Sequence, residues 1–209
     1  KAGRARLLFG DGVNLRFHPK GGKRPARHQL LIDFGDGSAL SASVQMYGGL
    51  WCFPDGEFDN PYYLAAVWKP SPLEIGFDRS YFLTLLDGPE SDKLSAKAWL
   101  ATGQRIPGLG NGVLQDILYN ARIHPKRKIG SLTGDEKEAL FEAVKDTLAE
   151  MVAQGGRDTE KDLLGQAGGY KTKASKLTVG GTCPVCKGTI RKETYLGGSI
   201  YYCDGCQKI

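Results

Sequence analysis

Cys183-Pro-Val-Cys186 and Cys203-Asp-Gly-Cys206 bracket the last part of the chain, with sixteen residues between the two pairs. Two residues between cysteines let one tight turn offer both sulfurs to a single ion. Pairs about 15–20 residues apart have the spacing of a four-thiolate zinc site. Between them, Thr189-Ile190-Arg191-Lys192-Glu193 and Ser199-Ile200-Tyr201-Tyr202 read as short strands with Gly197-Gly198 at the tip. Residues 183–209 are therefore predicted to form a zinc-ribbon hairpin. Its Zn2+ is structural, because four thiolates leave no open coordination position. The alternative, two disulfides, belongs to an oxidising compartment. Cys52, in Trp51-Cys52-Phe53, is the fifth cysteine and is read as an inert core thiol.

Upstream of the hairpin the pattern changes character. Residues 155–182 are polar and rich in Gly and Lys, which predicts a loop that orders on binding or a linker. Residues 91–154 show helical periodicity. Ser95–Ala101 reads as one helix, broken by Gly103 and Pro107, and a second is expected from Asn111 to Ala121 on the apolar positions Val113, Leu114, Ile117 and Leu118. A third starts at Thr133, with Glu136 completing a capping box, and carries a stripe of Leu140, Phe141, Val144, Leu148, Met151 and Val152 up to Gly155-Gly156. Residues 1–90 read as antiparallel β structure. Two strand–turn–strand units are expected around Gly10-Asp11-Gly12 and Gly35-Asp36-Gly37, and an irregular aromatic stretch runs from Trp51 to Phe77. The sequence has 209 residues, 41% of them hydrophobic and 24% charged, enough to bury a core. No run approaches the ~18 apolar residues of a membrane span, and no secretory leader is visible. A net charge of +5 is compatible with a polyanion partner.

The stretch Arg105-Ile106-Pro107-Gly108-Leu109-Gly110-Asn111-Gly112 carries the recognition signal. Glycines at every second position let the backbone approach another body. A helix starting there would point free N–H groups at a phosphate, to which Asn111 adds an amide. A tight helix–helix connection explains the glycines equally well. The basic cluster Arg122, Lys126, Arg127 and Lys128, with Lys171, Lys173 and Lys176 further on, favours the phosphate reading.

Gly108-Leu109-Gly110-Asn111, the helical pattern around it, and the finger ending Tyr202-Cys203-Asp204-Gly205-Cys206-Gln207 resemble the formamidopyrimidine-DNA glycosylase / endonuclease VIII family of base-excision repair enzymes. The resemblance runs from about residue 4 to the end and is closest in the second half. It implies an α+β fold: part of an antiparallel β-sandwich (residues 1–90), a helix–two-turns–helix DNA-binding domain (residues 91–154), and a C-terminal four-cysteine zinc-ribbon hairpin. It implies that Asn111 holds the phosphate beside a damaged nucleotide, with Asp116 packed behind it where the family usually has Glu. Gly168-Gly169-Tyr170 resembles the segment after the lesion-capping loop, and Gln45-Met46-Tyr47-Gly48 resembles a wedge that fills the hole left by a flipped base. Gly110, Arg105, Lys126, Arg127 and Tyr170 complete the expected DNA contacts. Ordinary strand-end packing is the other reading of Gln45, Met46 and Tyr47.

The departures carry equal weight. The family reacts through an N-terminal proline whose amine attacks the sugar C1′, beside a glutamate acid, whereas this sequence opens Lys1-Ala2-Gly3-Arg4 and enters a strand. The expectation is therefore a bifunctional DNA glycosylase/AP lyase present as a fragment without its nucleophile, inactive alone. The competing reading is a non-catalytic zinc-containing module that binds damaged or kinked DNA. The partner is duplex DNA with a damaged base or abasic site. The protein is expected to be a monomer, cytoplasmic and nucleoid-associated in a bacterium, with no membrane partner. The family's fingertip arginine falls at Gly198 here.

Overall fold

A computed structural model describes residues 4–10, 12–45 and 48–209. Five strands come first: β1 (Ala5–Phe9), β2 (Val13–His18), β3 (Leu30–Asp33), β4 (Ala39–Val44) and β5 (Leu50–Pro54). Five helices follow: α1 (Pro61–Trp68), α2 (Arg79–Leu86), α3 (Ala96–Ala101), α4 (Leu114–Asn120) and α5 (Gly134–Ala153). The hairpin β6 (Ile190–Tyr195) and β7 (Gly198–Cys203) closes the chain.

The second Gly-Asp-Gly unit is a hairpin, since β3 pairs antiparallel with β4. The first is not. β1 pairs with β5, and β2 with β4, in a separate three-stranded sheet ordered β2-β4-β3. The chain turns a corner between sheets there: the Gly10 N–H bonds to the Gly49 carbonyl, and the Gln45 N–H to the Gly12 carbonyl. Strand alternation also corrects the reading of Cys52. Phe53 is the inward residue of β5, so Cys52 faces out and is exposed.

Residues 61–68 and 79–86 are helical where the sequence reading placed irregular or β structure. Asn60 caps α1, its side chain accepting from the Tyr62 and Tyr63 N–H groups, with Pro61 in the first turn. Asp78 caps α2 by accepting from the Tyr81 N–H. α1 is apolar almost throughout, so it has no stripe for periodicity to detect, and none of its side chains is buried.

The main core lies among α2–α5 and their connections, where Phe77, Phe82, Trp99, Leu114, Ile117, Leu140 and Val144 are fully or almost fully enclosed. Phe82 meets Trp99 edge-on at 5.5 Å, and the Trp99 indole N–H reaches Ser91 Oγ. The capping box of α5 is present: Thr133 Oγ1 accepts from the Glu136 N–H, and the Glu136 carboxylate accepts from the Thr133 N–H. Val152 falls outside the α5 stripe and is exposed.

The finger turn spans Leu196-Gly197, one residue earlier than expected, because Tyr195 pairs with Gly198. Both turn residues have positive φ, 49° and 72°, as the two-residue turn of a twisted hairpin requires. No described helix is long and apolar enough to cross a membrane.

Candidate nucleic-acid interface

The Gly-Leu-Gly-Asn segment leads into α4 differently from the sequence reading. α4 begins at Leu114, three residues later than expected, and has seven residues. The Val113 and Leu114 N–H groups are bonded to the Gly110 carbonyl. The segment presents the Asn111 side chain beside the N–H groups of Gly110, Asn111 and Gly112, which make no backbone hydrogen bond among the described residues. Asn111 is exposed and donates one amide hydrogen to the Ser199 carbonyl of β7 at 3.1 Å. A primary amide carries two such hydrogens.

Polar clamps hold the finger against this segment. Gln115, only 2% exposed, donates to the carbonyls of Asn111 (2.8 Å) and Ser199 (3.2 Å) and accepts from the Tyr201 N–H (2.9 Å), so it acts as a short strand edge for β7. Buried Gln207 donates to the Ile123 carbonyl and accepts from the Cys203 N–H. Lys97, buried on α3, donates to the carbonyls of Tyr195 and Gly198 at the turn, and burial holds its ammonium pKa below the usual lysine value. A Cβ on Gly198 would lie 3.4 Å from Lys97 Nζ and 3.6 Å from Asn111 Nδ2. A side chain at position 198 would therefore project toward Lys97 and Asn111, although a glycine occupies it.

The cationic candidates are largely engaged within the chain. Lys126 pairs with Glu193 on β6, and its ammonium lies 5.6 Å from the Tyr195 ring centroid. Arg127 forks onto the Glu136 carboxylate and holds that pKa below the 4.5 of a free glutamate. Arg105 donates to the Thr102 carbonyl. Lys171 and Lys176 stay exposed, and Lys173 reaches Asn120.

Asp116 of α4 is 1% exposed, and its carboxylate accepts from the N–H groups of Lys173 (3.1 Å) and Ala174 (2.7 Å). Burial pushes its pKa above the ordinary aspartate value, against the pull of those donors. Asp116 thus ties the loop after α5 to α4. Tyr170 is fully buried beside it, and burial together with the Asp116 charge raises its phenol pKa. The loop is folded throughout this stretch: Tyr170 N–H bonds to Gly156, Asp158 N–H to Tyr170, and Asp158 accepts from Thr172. Gln45 is exposed after β4, while Met46 and Tyr47 lie outside the described residues.

Sequence reasoning did not single out Gln115, and Gln207 stood there only as the end of the finger motif. Gln115 left no signal, because it stands with Asp116 between the apolar positions 113–114 and 117–118, where an amphipathic helix is polar.

The four finger sulfurs lie within 4.8 Å of one another, with Cys183–Cys206 at 3.8 Å and Cys186–Cys203 at 3.3 Å. Four ligands at about 2.3 Å from a tetrahedral ion sit about 3.8 Å apart, so the set can hold a metal ion. All four cysteines are free thiols rather than disulfides. Burial opposes ionisation of Cys183, but the Tyr119 hydroxyl at 3.1 Å and local N–H groups outweigh it and bring its pKa down to about 6.

No family model matches the chain. The chain is 32% identical over 189 residues to a formamidopyrimidine-DNA glycosylase of Edwardsiella ictaluri, covering 88% of this chain and 68% of that protein. The chain belongs to the formamidopyrimidine-DNA glycosylase family. The enzyme of that name from Rhodopseudomonas palustris is 28% identical over 224 residues, 99% of this chain and 74% of the relative. In fold, the chain matches Lactococcus lactis Fpg in complex with abasic-site DNA, with a TM-score of 0.80 at 21% identity over 98% of this chain and 76% of that one. A complex of the Lactococcus lactis enzyme with DNA containing an oxidised pyrimidine matches at TM-score 0.78 and 23% identity.

Proposed function

We propose that this glycosylase-family chain binds duplex DNA at an abasic or oxidised-base site, as part of a base-excision repair DNA glycosylase with AP lyase activity. The observation that carries the reading is the free side of the Asn111 amide, held by Gln115 and Ser199 in the cleft between the Gly-Leu-Gly-Asn turn and the finger. An enzyme that acts on a base in a duplex must extrude it, and this needs firm grips on the neighbouring phosphates. A helical module and a finger clamped to it offer two such grips on one rigid frame. The named relatives and the DNA complexes of matching fold support the same assignment.

Zinc is the metal we assign to Cys183, Cys186, Cys203 and Cys206, since a closed set of four thiolates suits it. Its contribution is to hold the two finger turns together. The family's N-terminal proline and glutamate have no counterpart among residues 1–209, so we assign these residues lesion binding without the Schiff-base step.

The test compares a duplex bearing a tetrahydrofuran abasic analogue with the undamaged duplex, and adds borohydride to a true abasic duplex. Tighter binding to the analogue and no trapped adduct are expected. Equal affinity for the two duplexes would remove the lesion-binding reading, and an adduct would show that another amine in the chain is the nucleophile.

A further inference from the structure

Arg157 follows Gly155-Gly156 after α5 and packs against the turn that carries Asn111. A Cβ on Gly112 would lie 2.6 Å from Arg157 Nη2, 2.7 Å from Nη1 and 3.0 Å from Cζ. Gly112 therefore leaves room for the Nη1–Nη2 end of the guanidinium next to the Asn111 turn, where any larger residue would displace it. Arg157 is 8% exposed, and its one side-chain partner among the described residues is Glu160, three residues on and itself exposed. Arg157 Nε and Thr159 Oγ1 are buried with no hydrogen-bond partner among the described residues. A guanidinium has five N–H donors and no acceptor, so burying it with so few bonds leaves it ready for an anion.

These groups open onto a cavity of about 170 Å³ lined by Asn111, Gly112, Arg157, Thr159, Lys176 and Tyr201, among others. Arg157 and Lys176 outweigh Glu160 there. The fingertip supplies no cation, because position 198 is glycine and Lys97 is committed to the carbonyls of Tyr195 and Gly198.

Resting on the DNA-binding reading above, we infer that Arg157 is the phosphate-gripping cation of this cleft. Its planar fork takes two oxygens of a backbone phosphodiester, Asn111 and Thr159 donate alongside, and Glu160 holds the fork in the free protein and turns out to solvent when DNA enters.

Affinity for the tetrahydrofuran duplex, measured across a salt series with Arg157→Gln, Arg157→Lys and Glu160→Gln, tests this. Arg157→Gln is expected to weaken binding at least tenfold and to reduce the log–log salt slope by about 0.9. Arg157→Lys should retain the slope but lose several-fold in affinity, because an ammonium cannot fork. Glu160→Gln should tighten binding several-fold by removing the competing carboxylate. Unchanged affinity and slope in a folded Arg157→Gln would make Arg157 a mere plug for the space at Gly112. If Arg157→Gln does not fold, Glu160→Gln decides, and binding no tighter than wild type overturns the inference. A wild-type chain that ignores the lesion duplex defeats the underlying reading together with this one, whereas failure confined to the variants defeats this inference alone.

Discussion

Gln115 shows how one buried side chain can join two parts of a fold. Its amide satisfies carbonyls on both the Asn111 turn and β7, and its oxygen satisfies the Tyr201 N–H. Replacing it by alanine removes these bonds, leaving the Tyr201 N–H without its side-chain partner while the Ser199 carbonyl keeps the Asn111 amide, at a cost of about 1–3 kcal/mol. Gln115→Ala should therefore lower the melting temperature by several degrees, measured by thermal unfolding, and an unchanged value would mean that the clamp contributes nothing to stability. A second residue-scale effect is pH-dependent. The Arg127 fork, more than any other contact, depresses the Glu136 pKa below 4.5. A depressed carboxylate contributes stability that is fully present above its unfolded value and is lost as pH falls through the folded one. The melting temperatures of wild type and Glu136→Gln should therefore differ at pH 7 and converge as the pH falls below 4.5. The turn that carries Asn111 was legible in the sequence because glycines mark it. Arg157 was not, since its role depends on a space at Gly112 that only the folded chain reveals.

At the scale of elements, the finger depends on its cysteines and on α4. Tyr119 of α4 meets Cys183, and these two residues share a buried cluster with Ala174, Ile190 and Cys203. We expect one zinc per chain by elemental analysis. Its removal by a chelator should release the finger's amide protection while the α2–α5 core keeps its helical circular dichroism. A chain without zinc whose finger amides stay protected would contradict the assignment. The hairpin and α5 were readable from local chemistry: paired cysteines around two strands, and Thr133 with Glu136 at a helix start. α1 was hidden by its lack of a polar face, although Asn60-Pro61 marked its start. The pairing of β1 with β5 joins residues about 45 positions apart, which no local turn signal can encode.

Across the whole molecule, the finger and helical module form one clamped body through Lys97, Asn111, Gln115, Gln207 and the Lys126–Glu193 pair. That body carries the cleft, whereas a separate hollow between α4 and α5 presents Glu142, Asp146 and Glu150 against the single cation Lys173. This hollow is net acidic, and a polyanion should be repelled from it. Amide hydrogen exchange of the metal-loaded chain, with and without a tetrahydrofuran duplex, reads this directly. Protection is expected at residues 108–112, 157–160, 174–176 and 198–201, with residues 139–150 around the acidic hollow unchanged. Protection confined to the acidic hollow, or none in the cleft at saturating DNA, would contradict the account.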